Sequence, residues 1–250
     1  MLDYGLDLSE ITREAALPDL LAEGDDLDAV VSAEPDWSRP TPAEGWTIAH
    51  QIAHLAAADA NVVLAIRVPG KFAAVLGENA DAVAAEGAAR PRAELLDHWR
   101  AGRAEVAAAL GEIPLDQAFP WYGSQSTAAL GVALRLMETW AHGQDIFDTV
   151  RVEHRPTDRL KHIAALGVAG RGLSFYAAQL PLPTEPIRVE LTSPEGILWG
   201  WGPDDAAQRI RGSARDFCLR ITQRRGLDET GLAAIGKDAK AWLENARVFL

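Results

Sequence analysis

Cysteine is nearly absent. Cys218 is the single sulfhydryl in 250 residues, so no disulfide can close within the chain, and one sulfur builds neither a thiolate metal cluster nor a cystine framework. A reducing cytosol suits such a chain, and a cytoplasmic protein is expected. Basic residues are also scarce, with 24 Lys+Arg against 36 Asp+Glu and a formal charge of -12. Nucleic-acid binding depends on clustered Lys and Arg that displace counterions from phosphates, so no nucleic-acid partner is expected. Long apolar runs are missing too: charged side chains interrupt every hydrophobic stretch before the roughly 20 residues a bilayer span needs. No membrane partner is expected. The opening "MLDYGLDLSEITREAALPDL" carries acids where a secretory signal needs a basic start and an apolar core, which argues against export.

The charge that is present is unevenly placed. Residues 1–182 hold 14 Lys+Arg and 26 Asp+Glu, whereas residues 183–250 hold 10 of each. The first part is rich in Ala, the best helix former, and its larger apolar residues recur at three and four, which predicts helices near 8–33, 47–68, 91–110, 126–149 and 157–180. Pro35, Pro40 and Pro42 break the chain before the second helix, and "IPLDQAFPWYGSQS" separates the third from the fourth. "AAEGAAR" reads as a loop or a frayed helix end. Past "LPLPTEP" the texture changes: "IRVEL" and "ILWGWG" around the turn "SPEG" read as a strand pair, "RDFCLRITQRR" as a helix, "TGLAAIG" as a strand or turn, and "DAKAWLENARVFL" as a closing helix. The expected layout is a mainly α helical bundle over 1–182, followed by a small α+β domain over 183–250.

Two pairs of side chains carry chemistry. In "WTIAHQIAHL", His50 and His54 stand four apart and share a helical face; in "LMETWAHGQDIFD", Glu138, His142 and Asp145 fall at i, i+4 and i+7 on an otherwise apolar helix. A carboxylate and imidazoles inside a bundle are costly unless paired or coordinated, and a divalent cation compensates both. Facing helices of bundles commonly host such sites. Two imidazoles and a carboxylate form a catalytic zinc set that leaves one position open. The predicted ligands are His54, Glu138 and His142, with His50 as a fourth ligand or a neighbour. Hydrogen-bonded core histidines are the bland alternative, and spacing alone does not make the two helices face each other.

A Trp followed by a helix ending "HLAAAD", with a later "ETWAHGQDIFD", resembles the mycothiol-dependent maleylpyruvate isomerase and DinB-like superfamily of actinobacterial metal proteins. The resemblance extends to "PIRVELTSPEG", "WGWGPDDAAQRIRGSARDFCLRITQRR" and "KDAKAWLENARVF", and so covers most of the chain. It implies a DinB-like four-helix-type bundle that binds a divalent metal, usually zinc, through one His of the second helix and an E-x3-H pair of the fourth. Those positions are His54, Glu138 and His142, with His50 outside the pattern. It also implies mycothiol as thiol cosubstrate, its thiol deprotonated at the open metal position and added to a small electrophile, with isomerisation or S-transfer to follow. The spacing D-x7-R in "DFCLRITQR" matches Arg224 to an arginine that relatives use near the site, where a guanidinium can clamp a carboxylate.

Other residues are weighed beside these. Asp145 could orient a ligand imidazole or accept a proton, or simply be a cap or surface acid. Asp59 is expected to be exposed. Trp46 and Trp140 flank the ligands and could wall a pocket, but tryptophan mostly supplies packing area, so both are expected in the core. Cys218 could be a nucleophile, although a free Cys is usually a small buried hydrophobe. "GVAGRGLS" lacks the preceding strand and the GK[ST] of a phosphate loop and falls inside a helical pattern. A thiol-using metal enzyme is the preferred reading. A non-catalytic metal-binding or sensor protein, and a metal hydrolase with Asp145 as base, are the alternatives.

Overall fold

The structure, a computed structural model, describes residues 11–248. Residues 8–10 of the first expected helix and 249–250 of the last lie outside them. The chain divides into two compact units, one over Ile11–His154 and one that includes the chain from Arg155 onward. The architecture is mainly α with a small α+β region at its C-terminal end.

In the first unit four long helices set the frame: α1 (Arg13–Ala33), α2 (Ile48–Arg67), α5 (Arg92–Glu112) and α6 (Ala128–Val150), with two short ones, α3 (Pro69–Phe72) and α4 (Ala80–Ala88), after α2. Capping fixes where they begin: Thr12 Oγ1 accepts the Ala15 N–H, Asn79 Oδ1 the Ala82 N–H and Thr127 Oγ1 the Leu130 N–H. Leu27, Val31, Ile48, Ile52, Leu55, Leu95, Trp99 and Ile146 form the shared core between α1, α2, α5 and α6. α1 packs on α6 and α5, and α2 packs on α5, α6 and α4.

"AAEGAAR" is therefore mostly helix. It supplies the end of α4, whose Gly87 lies so close to α2 that a Cβ there would come 2.7 Å from the Ala53 Cβ. The expected separator "IPLDQAFPWYGSQS" contains a short antiparallel hairpin, β1 (Phe119–Trp121) with β2 (Ser124–Ser126), turned by Tyr122 and Gly123 at positive φ.

The second unit contains α7 (Leu160–Ala169), α8 (Arg171–Ala177), β3 (Ile187–Thr192), β4 (Leu198–Trp201), β5 (Gln208–Ser213), α9 (Ala214–Ile221), β6 (Ala233–Ile235) and α10 (Lys237–Asn245). Its sheet order is β4-β3-β5-β6, with β3 antiparallel to β4 and parallel to β5. The strand pair expected from "IRVEL" and "ILWGWG" is present, and β5 adds a strand that the Arg-rich "QRIRGS" concealed. Ile187, Val189 and Leu191 alternate inward beneath the helices.

The helix expected over 157–180 breaks at Gly170 into α7 and α8. The units meet at 154/155, whereas the change of texture points to 182/183. The physical reason is that α7 and α8 pack within the C-terminal unit: a Cβ on Gly167 would stand 2.3 Å from Ile221 Cδ1, and Arg171 lies 5.9 Å over the Trp242 ring. No described helix is long and apolar enough to cross a membrane.

Candidate metal centre

The site is built from one face of α2 and one face of α6. Along α6 the polar residues Arg135, Glu138, His142 and Asp145 recur at three and four on a helix that is otherwise mostly buried and apolar. α2 presents Gln51 and His54 towards them.

His54 Nε2 and His142 Nε2 each lie 3.3 Å from the same oxygen, Glu138 Oε2. One donor atom from each of the three residues falls within 4.8 Å of the other two. A tetrahedral metal with bonds of about 2.0–2.1 Å separates neighbouring ligand atoms by about 3.3–3.4 Å, so two of the three edges already have the spacing such an ion requires. The residues fit a divalent cation. The same distances serve as hydrogen bonds when the imidazoles are protonated. Desolvation pushes the Glu138 carboxyl up, but hydrogen bonds from His142 and His54, with the charge of both rings, hold it well below the ordinary carboxylate range.

Gln51 was concealed in the sequence. Its side chain is fully buried, and its Oε1 accepts from His142 Nδ1 at 2.5 Å while its Nε2 donates to Thr41 Oγ1 at 2.9 Å and Asp145 Oδ2 at 3.3 Å. With the amide oxygen facing the ring, Nδ1 carries the proton, and the Nε2 lone pair is left for Glu138's side of the site. Asp145 is buried and reaches His142 through Gln51. An amide in an apolar helix one turn before a histidine was the available signal.

His50 is not part of the cluster. Its Nδ1 lies 2.8 Å from Thr47 Oγ1 and accepts the Thr47 N–H at 3.3 Å, closing a capping box at the start of α2. Trp46 differs from the core role expected of it. It is half-buried, its ring lies 5.2 Å from His54 and stacks 5.9 Å from His142, and its Nε1–H donates to Asp81 on α4 at 2.9 Å. It walls the site. Trp140 does belong to the core, 4% exposed.

Asp59 also departs from expectation. It is 3% exposed and bound by Arg135 Nε at 2.8 Å, because α2 turns its second half inward against α6. A cavity of about 230 Å³ adjoins His54, lined by Ala57, Ala58, Asn61, Glu78 and Tyr122.

Arg224 lies in the C-terminal unit, beyond the end of α9, and its Nη1 donates to the Thr222 carbonyl at 2.8 Å. Cys218 is buried on α9 with its thiol aimed at the Leu160 carbonyl, 3.6 Å away, and burial pushes its pKa far up, so it is not a ready nucleophile. "GVAGRGLS" is helix on either side of Gly170.

Comparison with known proteins places these features in a lineage. Residues 19–147 match the family model described as the mycothiol maleylpyruvate isomerase N-terminal domain, and residues 183–231 match one described as wyosine base formation. Two uncharacterized proteins of Mycobacterium tuberculosis, from strains CDC 1551 / Oshkosh and ATCC 25618 / H37Rv, are each 45% identical over 240 residues, covering 92% of this chain and 93% of theirs. Crystal structures of the mycothiol-dependent maleylpyruvate isomerase and of a histidine-to-alanine mutant share the fold with a TM-score of 0.60 at 16% and 15% identity, over 90% of this chain and 94% of theirs.

Proposed function

The chain belongs to the mycothiol maleylpyruvate isomerase N-terminal-domain family, and from that premise we propose a metal-dependent, mycothiol-using enzyme that performs thiol addition, S-transfer or isomerisation on a small electrophile. The observation that carries this reading is the pair of 3.3 Å separations from Glu138 Oε2 to His54 and His142, with Gln51 holding His142 in the ligating tautomer.

His54, Glu138 and His142 would hold the ion, with zinc as the favoured metal for two imidazoles and a carboxylate. When bound, it would supply the Lewis acidity that makes a thiol available as thiolate at neutral pH. The chain's own residues do the rest. Gln51, anchored by Thr41 and Asp145, fixes the His142 ring, so Asp145 serves as a positioning group. Trp46 covers the rings of His54 and His142 and excludes water on that side. The cavity beside His54 offers small walls at Ala57 and Ala58 and polar groups at Asn61, Glu78 and Tyr122 for a small ligand. Arg224 as a substrate-carboxylate clamp rests on the family resemblance alone. Turnover lost in Arg224→Ala with metal retained would support it; unchanged kcat/KM would remove it. A single buried thiol suits work in the cytosol.

The deciding experiment is metal content per chain in protein purified without chelator or polyhistidine tag, beside His54→Ala and His50→Ala. Near-stoichiometric metal, lost in the first variant and kept in the second, is expected. Added mycothiol should then shift the visible spectrum of the cobalt-substituted protein. A wild type that stays metal-free after incubation with zinc overturns the reading. A cobalt spectrum indifferent to mycothiol points instead to water at the open position and a hydrolase.

A further inference from the structure

A second cavity, of about 330 Å³, opens at the N-terminal end of α2 and has no part in the proposed metal chemistry. It is lined by Trp37, Thr47, Ala49, His50, Arg90, Arg92 and Leu95, among others. Its volume is at the small end of the range for ligand pockets.

Its charge is unusual for this chain. Arg90 and Arg92 bracket the junction of α4 and α5, and neither has a carboxylate within ion-pair distance among the described residues, although the protein carries 36 acids against 24 Lys and Arg. Arg92 is held in place by neutral groups. Its Nη2 donates to the Val31 and Ser32 carbonyls at 3.0 and 2.8 Å, its guanidinium stacks 5.2 Å from the Trp37 ring, and its Nε is buried without a hydrogen-bond partner. Arg90 is exposed at the cavity. His50 adds a donor: its Nδ1 accepts the Thr47 N–H, so the neutral ring carries its proton on Nε2. Ser38 also lines the cavity, with its hydroxyl already donating to Asp36 at 2.6 Å. Two guanidiniums without acid partners and an imidazole N–H therefore share one cavity with an indole and aliphatic walls.

We propose that this cavity is a binding site for a small organic anion, its carboxylate against Arg90, Arg92 and His50 and its apolar body against Trp37, Ala49 and Leu95. Guanidinium forks favour carboxylates, and pairing with an anion relieves the uncompensated charge. The cavity adjoins the metal cluster but shares no ligand with it: none of His54, Glu138 and His142 lines it, and the Trp46 ring, 6.4 Å from His50 and 5.2 Å from His54, stands beside both.

The test is calorimetric titration of the full chain with benzoate, alongside the neutral isostere benzyl alcohol. It is run on wild type, on His54→Ala, and on Arg90→Gln and Ala49→Leu, the last of which fills the cavity without altering charge. Saturable benzoate binding is expected in wild type and unchanged in His54→Ala. It should be weakened at least tenfold in Arg90→Gln and in Ala49→Leu, with benzyl alcohol at least tenfold weaker than benzoate. Absence of saturable binding overturns the proposal, as does equal affinity in Arg90→Gln or loss in His54→Ala, which would assign the anion to the metal cluster. The metal-content measurement is independent of every one of these outcomes.

Discussion

Gln51 Oε1 stands 2.5 Å from His142 Nδ1, so an amide of α2 fixes the ring of a histidine carried 91 residues later on α6. Through the other end of the same amide, Asp145 is joined to the ring it accompanies on α6. The tautomer of His142 is therefore set by tertiary structure.

Gln51→Leu keeps the helix and roughly the volume while removing the acceptor. Outer partners of metal-bound histidines are worth about 10–100-fold in affinity. A loss of that size is expected in competition titration against a chromophoric chelator, with the fold intact by circular dichroism. Affinity within twofold of wild type would show that Gln51 does not orient the ring.

Removing one member of the Arg135–Asp59 pair leaves a charge with 3–4% side-chain exposure and without its ion-pair partner. Breaking a buried pair typically costs about 3–5 kcal/mol. Arg135→Met alone should lower stability by about that amount in urea unfolding, and the double change with Asp59→Leu should recover a large part of it. If the single and double variants unfold alike, the pair is not the source.

Arg100 reaches from α5 to α1, its Nε and Nη2 donating to Asp28 at 2.7 and 2.6 Å. That hydrogen bond, foremost, with the charges of Arg100 and Arg103, lowers the Asp28 pKa against the effect of burial. The native value lies below the unfolded one of about 3.9. The contribution is thus fully present above that pH and is lost as pH falls through the native value. Arg100 is 43% exposed, which keeps the effect to about 1 kcal/mol or less. Asp28→Asn should be less stable than wild type at pH 7, with the gap closing as pH falls below the unfolded value of about 3.9 and through the lowered native one. A gap independent of pH would rule out ionisation as its cause.

Gly167→Ala tests the seam between α7 and α9, where the new methyl would meet Ile221 Cδ1 at 2.3 Å and Phe217 Cε1 at 3.1 Å. Overpacking of this kind costs about 1–3 kcal/mol. Thermal unfolding should show the loss, and Phe217→Leu in the same chain should return part of it.

The sequence by itself determined what lies within a turn or two of chain. Apolar spacing marked the long helices α1, α2, α5 and α6, and the i,i+4 pairs named His54, Glu138 and His142, because one helical turn places such residues together whatever surrounds them. The strand pair β3–β4 was legible for the same reason, through alternation about a turn. Whether two helices face each other is decided at long range. Only the tertiary structure set Glu138 against His54 across 84 residues, buried Asp59 on Arg135 and brought Gln51 under His142. The same packing turned His50 to its own helix cap, lifted Trp46 out of the core to wall the site, and assigned α7 and α8 to the C-terminal unit. Backbone periodicity is local, whereas burial, ion pairing and the choice of tautomer depend on which partner a second element delivers.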